Sequence, residues 1–160
     1  MFEKLEALRY RRVVKADRHD PAQFDLLGEV TGFPIPPEYA AFLRRYPDSG
    51  RFEVRGGVSV RARGPMPAGR GDRLGVELLY AGCSIDDCDL FEIRHEQQRD
   101  AGDFVPLEYL PIGEDARGNE FCIALGGDGA GRVFYFDQDD PSPILVADGF
   151  TAFIDALEAA

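Results

Sequence analysis

The chain has 160 residues and a formal net charge of −11, with 29 Asp and Glu against 18 Lys and Arg. A single domain of this length buries roughly 70% of its unfolded surface, so it requires neither a disulfide framework nor a structural metal. Cys83, Cys88 and Cys122 cannot all pair within the chain, and no apolar run is long enough to span a membrane, which together point to a reducing, cytoplasmic setting and exclude a membrane role.

In chain order, Met1 to Leu8 mixes charge with apolar positions, contains no signal-peptide core, and places Phe2, Leu5 and Leu8 on a first amphipathic segment. Arg9, Arg11, Arg12, Lys15 and Arg18 follow, with only Tyr10 as a stacking aromatic, which reads as a solvated face and not as a nucleic-acid site. Asp20-Pro21 starts a helix with Phe24, Leu27 and Val30 inward and Gly32 at its end. Pro37 suits the first position of the next helix, since its missing N–H would be unpaired there and its φ is already helical. Tyr39, Phe42, Leu43 and Tyr46 form its apolar stripe, Arg44 and Arg45 stay wet, and Pro47-Asp48-Ser49-Gly50 stops it.

Phe52 and Val54 are predicted to face Val58 and Val60 across Gly56-Gly57, a two-residue hairpin whose glycines accept positive φ. Arg63 to Arg73 is a Gly/Pro-rich loop and the best candidate for a mobile connection. Leu74 to Tyr80 reads as a strand, and Asp86-Asp87 opens a helix through about Gln98, because carboxylates suit a helix N-terminus. Leu110 to Ile112 is extended, a charged turn runs from Gly113 to Gly118, and Phe121, Ile123 and Leu125 alternate as in a half-buried strand. Arg132 to Phe136 and Ile144 to Val146 are further strands, and Phe150, Phe153, Ile154 and Leu157 form the stripe of a closing helix. No repeat or linker divides the chain, so residues 1–160 read as one domain.

Catalytic and metal-binding patterns are absent. Gly126 to Gly131 lacks phosphate-loop spacing and leads into a strand, so it reads as a hairpin loop. Cys88 and His95 are the one thiol–imidazole pairing along a helix, with no orienting third group. Two histidines and three cysteines fit no zinc spacing, and Asp137-Gln138-Asp139-Asp140-Pro141 lacks the glycine and distal glutamate of a calcium loop, which leaves a solvated acidic turn. No cofactor is expected, and the chain reads as a binding protein and not an enzyme.

The Phe33-Pro34-Ile35-Pro36-Pro37-Glu38-Tyr39 start with Phe42-Leu43, the Leu110-Pro111-Ile112-Gly113 and Gly118-Asn119-Glu120-Phe121-Cys122-Ile123 segments, Val133 to Asp137, and Phe150 with Phe153-Ile154 occur in an order that resembles the SUKH superfamily, the Smi/Knr-like immunity proteins. The likeness covers about residues 20 to 160; Asp48-Ser49-Gly50 stands where many relatives have Asn-Gly. The resemblance implies an α+β domain with a central, mostly antiparallel sheet and flanking helices. In bacteria it also implies an immunity role, binding and neutralising a cognate toxin. The alternative is an intracellular regulator or scaffold of the same fold.

Charge asymmetry adds a direction for the partner. Residues 1–70 hold 13 Lys and Arg against 9 Asp and Glu, whereas residues 71–160 hold 5 against 20, a net +4 followed by −15. The second part therefore disfavours nucleic acid and favours a basic toxin domain. Asp86, Asp87, Asp89, Glu92, Glu114, Asp115, Asp137, Asp139 and Asp140 are the expected partner-binding carboxylates. The competing expectation places binding on the Arg63 to Arg73 loop or the basic N-terminal segment, against an acidic partner.

Overall fold

A computed structural model describes residues 1–12, 27–29, 31–81, 105–140 and 142–159. Its elements are α1 (Phe2–Ala7), β1 (Tyr10–Arg12), α2 (Pro37–Arg45), β2 (Gly50–Phe52), β3 (Val58–Arg61), β4 (Arg73–Val76), β5 (Leu78–Leu79), β6 (Tyr109–Glu114), β7 (Glu120–Ala124), β8 (Val133–Phe136), β9 (Ile144–Ala147), α3 (Phe150–Asp155) and β10 (Glu158–Ala159). The strands form a seven-stranded sheet in the order β1-β2-β5-β6-β7-β8-β9 and a three-stranded sheet in the order β10-β3-β4. Every strand pair is antiparallel, as expected for an α+β domain. From β6 to β9 the large sheet is a simple meander, each strand lying beside the next in sequence.

The helix stripes have the predicted faces. α2 starts with Pro37 at its first turn and buries Tyr39, Phe42 and Leu43, while Arg45 stays exposed. The Tyr39 and Phe42 rings pack on Phe150 of α3 at centroid distances of 4.9 and 5.0 Å, joining the two helices through an aromatic cluster. Phe150, Phe153, Ile154 and Leu157 are all buried, as is Leu27, which begins the helical residues 27–29. The remainder of the expected Asp20 helix, and the whole of the Asp86 to Gln98 helix with Cys83, Cys88 and His95, lie outside the described residues.

Three expectations about strands fail. Gly56 and Gly57 do adopt positive φ (89° and 84°), and the Gly57 N–H closes a turn on the Val54 carbonyl at 3.1 Å. The flanking segments nevertheless do not pair with each other: β2 joins β1 and β5 in the large sheet, and β3 joins β4 and β10 in the small one. Alternation sets which face a strand buries but not which strand it meets. The segment from Leu74 to Tyr80 likewise splits at Glu77, passing from the small sheet to the large one.

β7 is the third departure. Phe121, Cys122, Ile123 and Ala124 are all buried, so both faces of this central strand are covered. Phe121 and Ile123 belong to the main core, whereas Cys122 packs with Val105 and Phe136 in a second, smaller cluster flanked by Tyr109 and Phe134. That burial pushes the Cys122 thiol up, so the sulfur stays protonated and is a poor nucleophile.

Candidate functional site

Three connections meet at one end of the sheets. The β6–β7 turn is organised by Asp115, whose Oδ1 accepts the Arg117 and Asn119 backbone N–H groups at 2.8 and 3.0 Å. This is the local side-chain turn that Asp favours, and Gly118 completes it with φ 78°. Asp115 Oδ2 accepts the Asn119 side-chain amide at 2.9 Å and the Tyr135 hydroxyl at 2.8 Å. Burial alone would raise the Asp115 carboxyl, but these four hydrogen bonds outweigh it and hold it below the ordinary carboxylate range. Tyr135 responds in the opposite sense, pushed up to about 12 by burial and by its bond to Asp115.

Asn119 then ties this turn to the next. Its Oδ1 accepts the Gln138 N–H at 3.1 Å, and the Gln138 amide nitrogen donates to the Gly118 carbonyl at 2.6 Å. Asn119 is itself buried. Within the β8–β9 connection, Asp137 accepts the Asp139 N–H at 2.9 Å and ion-pairs with Arg70. Sequence reading missed both Asn119 and Arg70 as organisers. Asn119 follows a turn glycine, a cue that could have been used; Arg70 and Asp137 are too far apart in sequence for any local pattern to join them.

The segment from Arg63 to Arg73, expected to be a mobile connection, is tied down at several points. Arg63 and Gly64 donate to the Leu145 carbonyl on β9 at 2.8 and 2.9 Å, covering the edge of the large sheet. The Arg70 N–H closes a turn on the Pro67 carbonyl at 3.1 Å, with Gly69 at φ 85° where that turn demands it. Arg70 then reaches Asp137, and more loosely Asp139 at 3.5 Å.

The predicted carboxylates thus divide. Asp137 is buried, not part of a solvated turn, because it holds Arg70. Asp115 is half-buried and saturated by its own turn together with the Tyr135 hydroxyl from β8. Glu114 lies across from Glu120 in the β6–β7 register, and the Tyr80 hydroxyl lies at 3.0 and 3.4 Å from the two carboxylates, softening a like-charge pair. Asp139 and Asp140 are exposed. Asp86, Asp87, Asp89 and Glu92 lie outside the described residues.

Between the Arg63 to Arg73 loop and the β6–β7 turn lies a cleft of about 380 Å³. Arg70, Arg73 and Arg117 line it from three elements, with Asp115, Tyr135 and the bare backbone of Gly75 completing its walls. A second groove, about 360 Å³, is lined by Tyr10, Tyr46 and Arg12, and Arg12 pairs with the buried Asp48 at 3.4 Å. Among the described residues no group of three or more His, Cys, Asp or Glu is placed to hold a metal ion, and no helix is long and apolar enough to cross a membrane. A model of the SMI1/KNR4 family (SUKH-1) matches residues 20–156. No curated protein matches the sequence.

Proposed function

Since the chain belongs to the SMI1/KNR4 (SUKH-1) family, we propose that it is an immunity protein of the cytoplasm, binding and neutralising a cognate bacterial toxin without chemistry of its own. The observation that supports this reading best is the knitted end of the sheets. Three connections from distant parts of the chain are locked to one another by Asp115, Asn119, Gln138, Asp137 and Arg70, so the surface they present is preorganised. A surface fixed before encounter loses little entropy on binding, which suits tight inhibition.

In this reading Asp139 and Asp140 are the exposed carboxylates that meet a basic toxin domain, with the half-buried Glu114 a further contact, while Asp115 and Asp137 act from beneath by holding the loops. The arginine-lined cleft beside them favours a partner surface of mixed sign, and so retains part of the competing expectation for the Arg63 to Arg73 loop. Co-expression with a toxin encoded beside it, its active site disabled, should yield a stable complex. Asp139→Asn with Asp140→Asn should then slow association severalfold without moving the melting temperature, because exposed charges steer encounter and contribute little to folding. Failure of the two proteins to associate, or an on-rate indifferent to both substitutions and salt, would refute the reading or its acidic contact respectively.

A further inference from the structure

We propose that the outer edge of β4 is a strand-addition site, which takes an extended acidic segment of a protein partner onto the backbone of Arg73 and Gly75. β4 ends the small sheet, so only one of its edges is paired. The Ala62 N–H donates to the Asp72 carbonyl at 2.7 Å, and the register continues through Val60 with Leu74 and Val58 with Val76. These are the hydrogen-bonded pairs of an antiparallel ladder, and their polar groups point toward β3. The N–H and C=O groups of Arg73 and Gly75 point the other way. Glu77 shows which way that is, since its N–H reaches the Glu114 carbonyl at the end of β6 at 2.9 Å. Arg73 and Gly75 therefore open into the cleft, and among the described residues their backbone groups meet no partner.

Natural sheets blunt such edges with charged side chains, proline or a covering segment. Among the described residues none of these devices acts at the edge. The Arg73 guanidinium is drawn across the sheet to Ser59 at 3.1 Å and Glu158 at 2.8 Å. At Gly75 a Cβ would meet nothing within 4 Å, so no crowding demands a glycine; its effect is to leave the strand backbone bare.

The charge of the cleft selects the occupant. Arg117 stands on the wall opposite β4, exposed and without an ion pair among the described residues, and Arg70 closes the end. The one carboxylate on that wall, Asp115, is consumed by its four hydrogen bonds. A strand laid along β4 spans about 13 Å and presents alternate side chains to each face, so a Glu or Asp among them meets Arg117. Pairing of β4 with β4 of a second copy would instead bring cationic walls together.

The proposal rests on the protein-binding reading above only in taking a protein segment as the occupant. It is tested on the whole protein with a displayed library of random seven-residue peptides. Selected peptides should carry Glu or Asp within an alternating pattern and shift the Arg73 and Gly75 amide signals in NMR. Gly75→Pro, which removes the outward N–H at an edge position that tolerates proline, should weaken binding about tenfold or more, whereas Gly75→Ala should keep it within about twofold. If Gly75→Pro does not fold, N-methylation of the peptide backbone applies the same test from the other side. Arg117→Glu should reverse the preference for acidic peptides. Failure to select any peptide, amide shifts elsewhere, indifference to both proline and N-methylation, or self-association through β4 would each overturn the inference. Full protection of toxin-expressing cells by Gly75→Pro would remove β4 from neutralisation alone, while failure of the wild-type protein to protect would remove the neutralisation reading and leave peptide binding to decide the edge.

Discussion

Replacing Asn119 by alanine strikes the junction between the β6–β7 and β8–β9 connections. Asn119 is only 4% exposed, and its side chain donates to the Asp115 carboxylate at 2.9 Å and accepts the Gln138 N–H at 3.1 Å. The first bond is charge-assisted and worth about 1.5–3 kcal/mol; the second is neutral and worth about 0.5–1.5 kcal/mol. Both partners are part-buried, so water replaces little of what is lost. Asn119→Ala should therefore cost about 2–4 kcal/mol and lower the melting temperature by about 4–15 °C for a chain of this size. Urea denaturation followed by circular dichroism is the assay, with an unchanged m-value showing that the unfolded reference has not moved. Asn119→Asp separates hydrogen bonding from shape. It keeps the volume but sets a carboxylate against Asp115, so it should be worse than alanine at pH 7 and recover on acidification as one of the pair takes a proton. A cost below about 0.5 kcal/mol for Asn119→Ala, or an Asn119→Asp variant as stable as the wild type at pH 7, would refute the assigned role.

Further predictions test the core, a close backbone approach and a titration. Phe42→Ala should cost about 3–5 kcal/mol, since the ring is fully buried among Tyr10, Tyr39 and Phe150, whereas Arg45→Ala should stay within about 0.5 kcal/mol; thermal melts rank the two. Gly113→Ala should cost about 1–3 kcal/mol because its Cβ would clash with the Leu78 carbonyl oxygen, while Gly71→Ala, with nothing within 4 Å, should be near neutral by urea midpoint. Asp115 has a depressed pKa in the folded state, so its stabilisation is present above the unfolded value near 4 and is lost as pH falls through the folded one. Asp115→Asn should therefore lose less stability than the wild type between neutral pH and about pH 2, read from urea midpoints across that range.

The elements most legible in the sequence were those whose signal is local. Pro37 with the Tyr39, Phe42 and Leu43 stripe marks α2 at both its start and its buried face, and Phe150, Phe153 and Ile154 mark the buried face of α3, with Leu157 buried just beyond its end. What stayed hidden depends on pairing at a distance. Phe52 and Val60 show the same alternation whether or not their strands are neighbours, so the division into two sheets at Gly56-Gly57 and Glu77 has no local mark. The site divides in the same way. Asp139 and Asp140 look solvated and are, but Asp137 is buried against Arg70, a residue contributed by the far loop, while Asp139 meets the same arginine from solvent. Asp115 was correctly placed in a turn, yet its saturation follows from Tyr135 on a neighbouring strand, which composition cannot reveal.

The consecutive order of β6 to β9 bears on how the chain reaches this state. Those four strands meet through short connections, so the entropy of closing each loop is small, and their contacts are the cheapest non-local ones available. Pairing β5 with β6 instead closes the long span between Leu79 and Tyr109, and joining β2 to β5 closes another between Phe52 and Leu78. The expected nucleus is therefore the C-terminal meander around the doubly buried β7, with the N-terminal half recruited later. Truncations within β7 and β8, such as Ile123→Val, should slow refolding, whereas Leu43→Ala in α2 should act mainly by hastening unfolding.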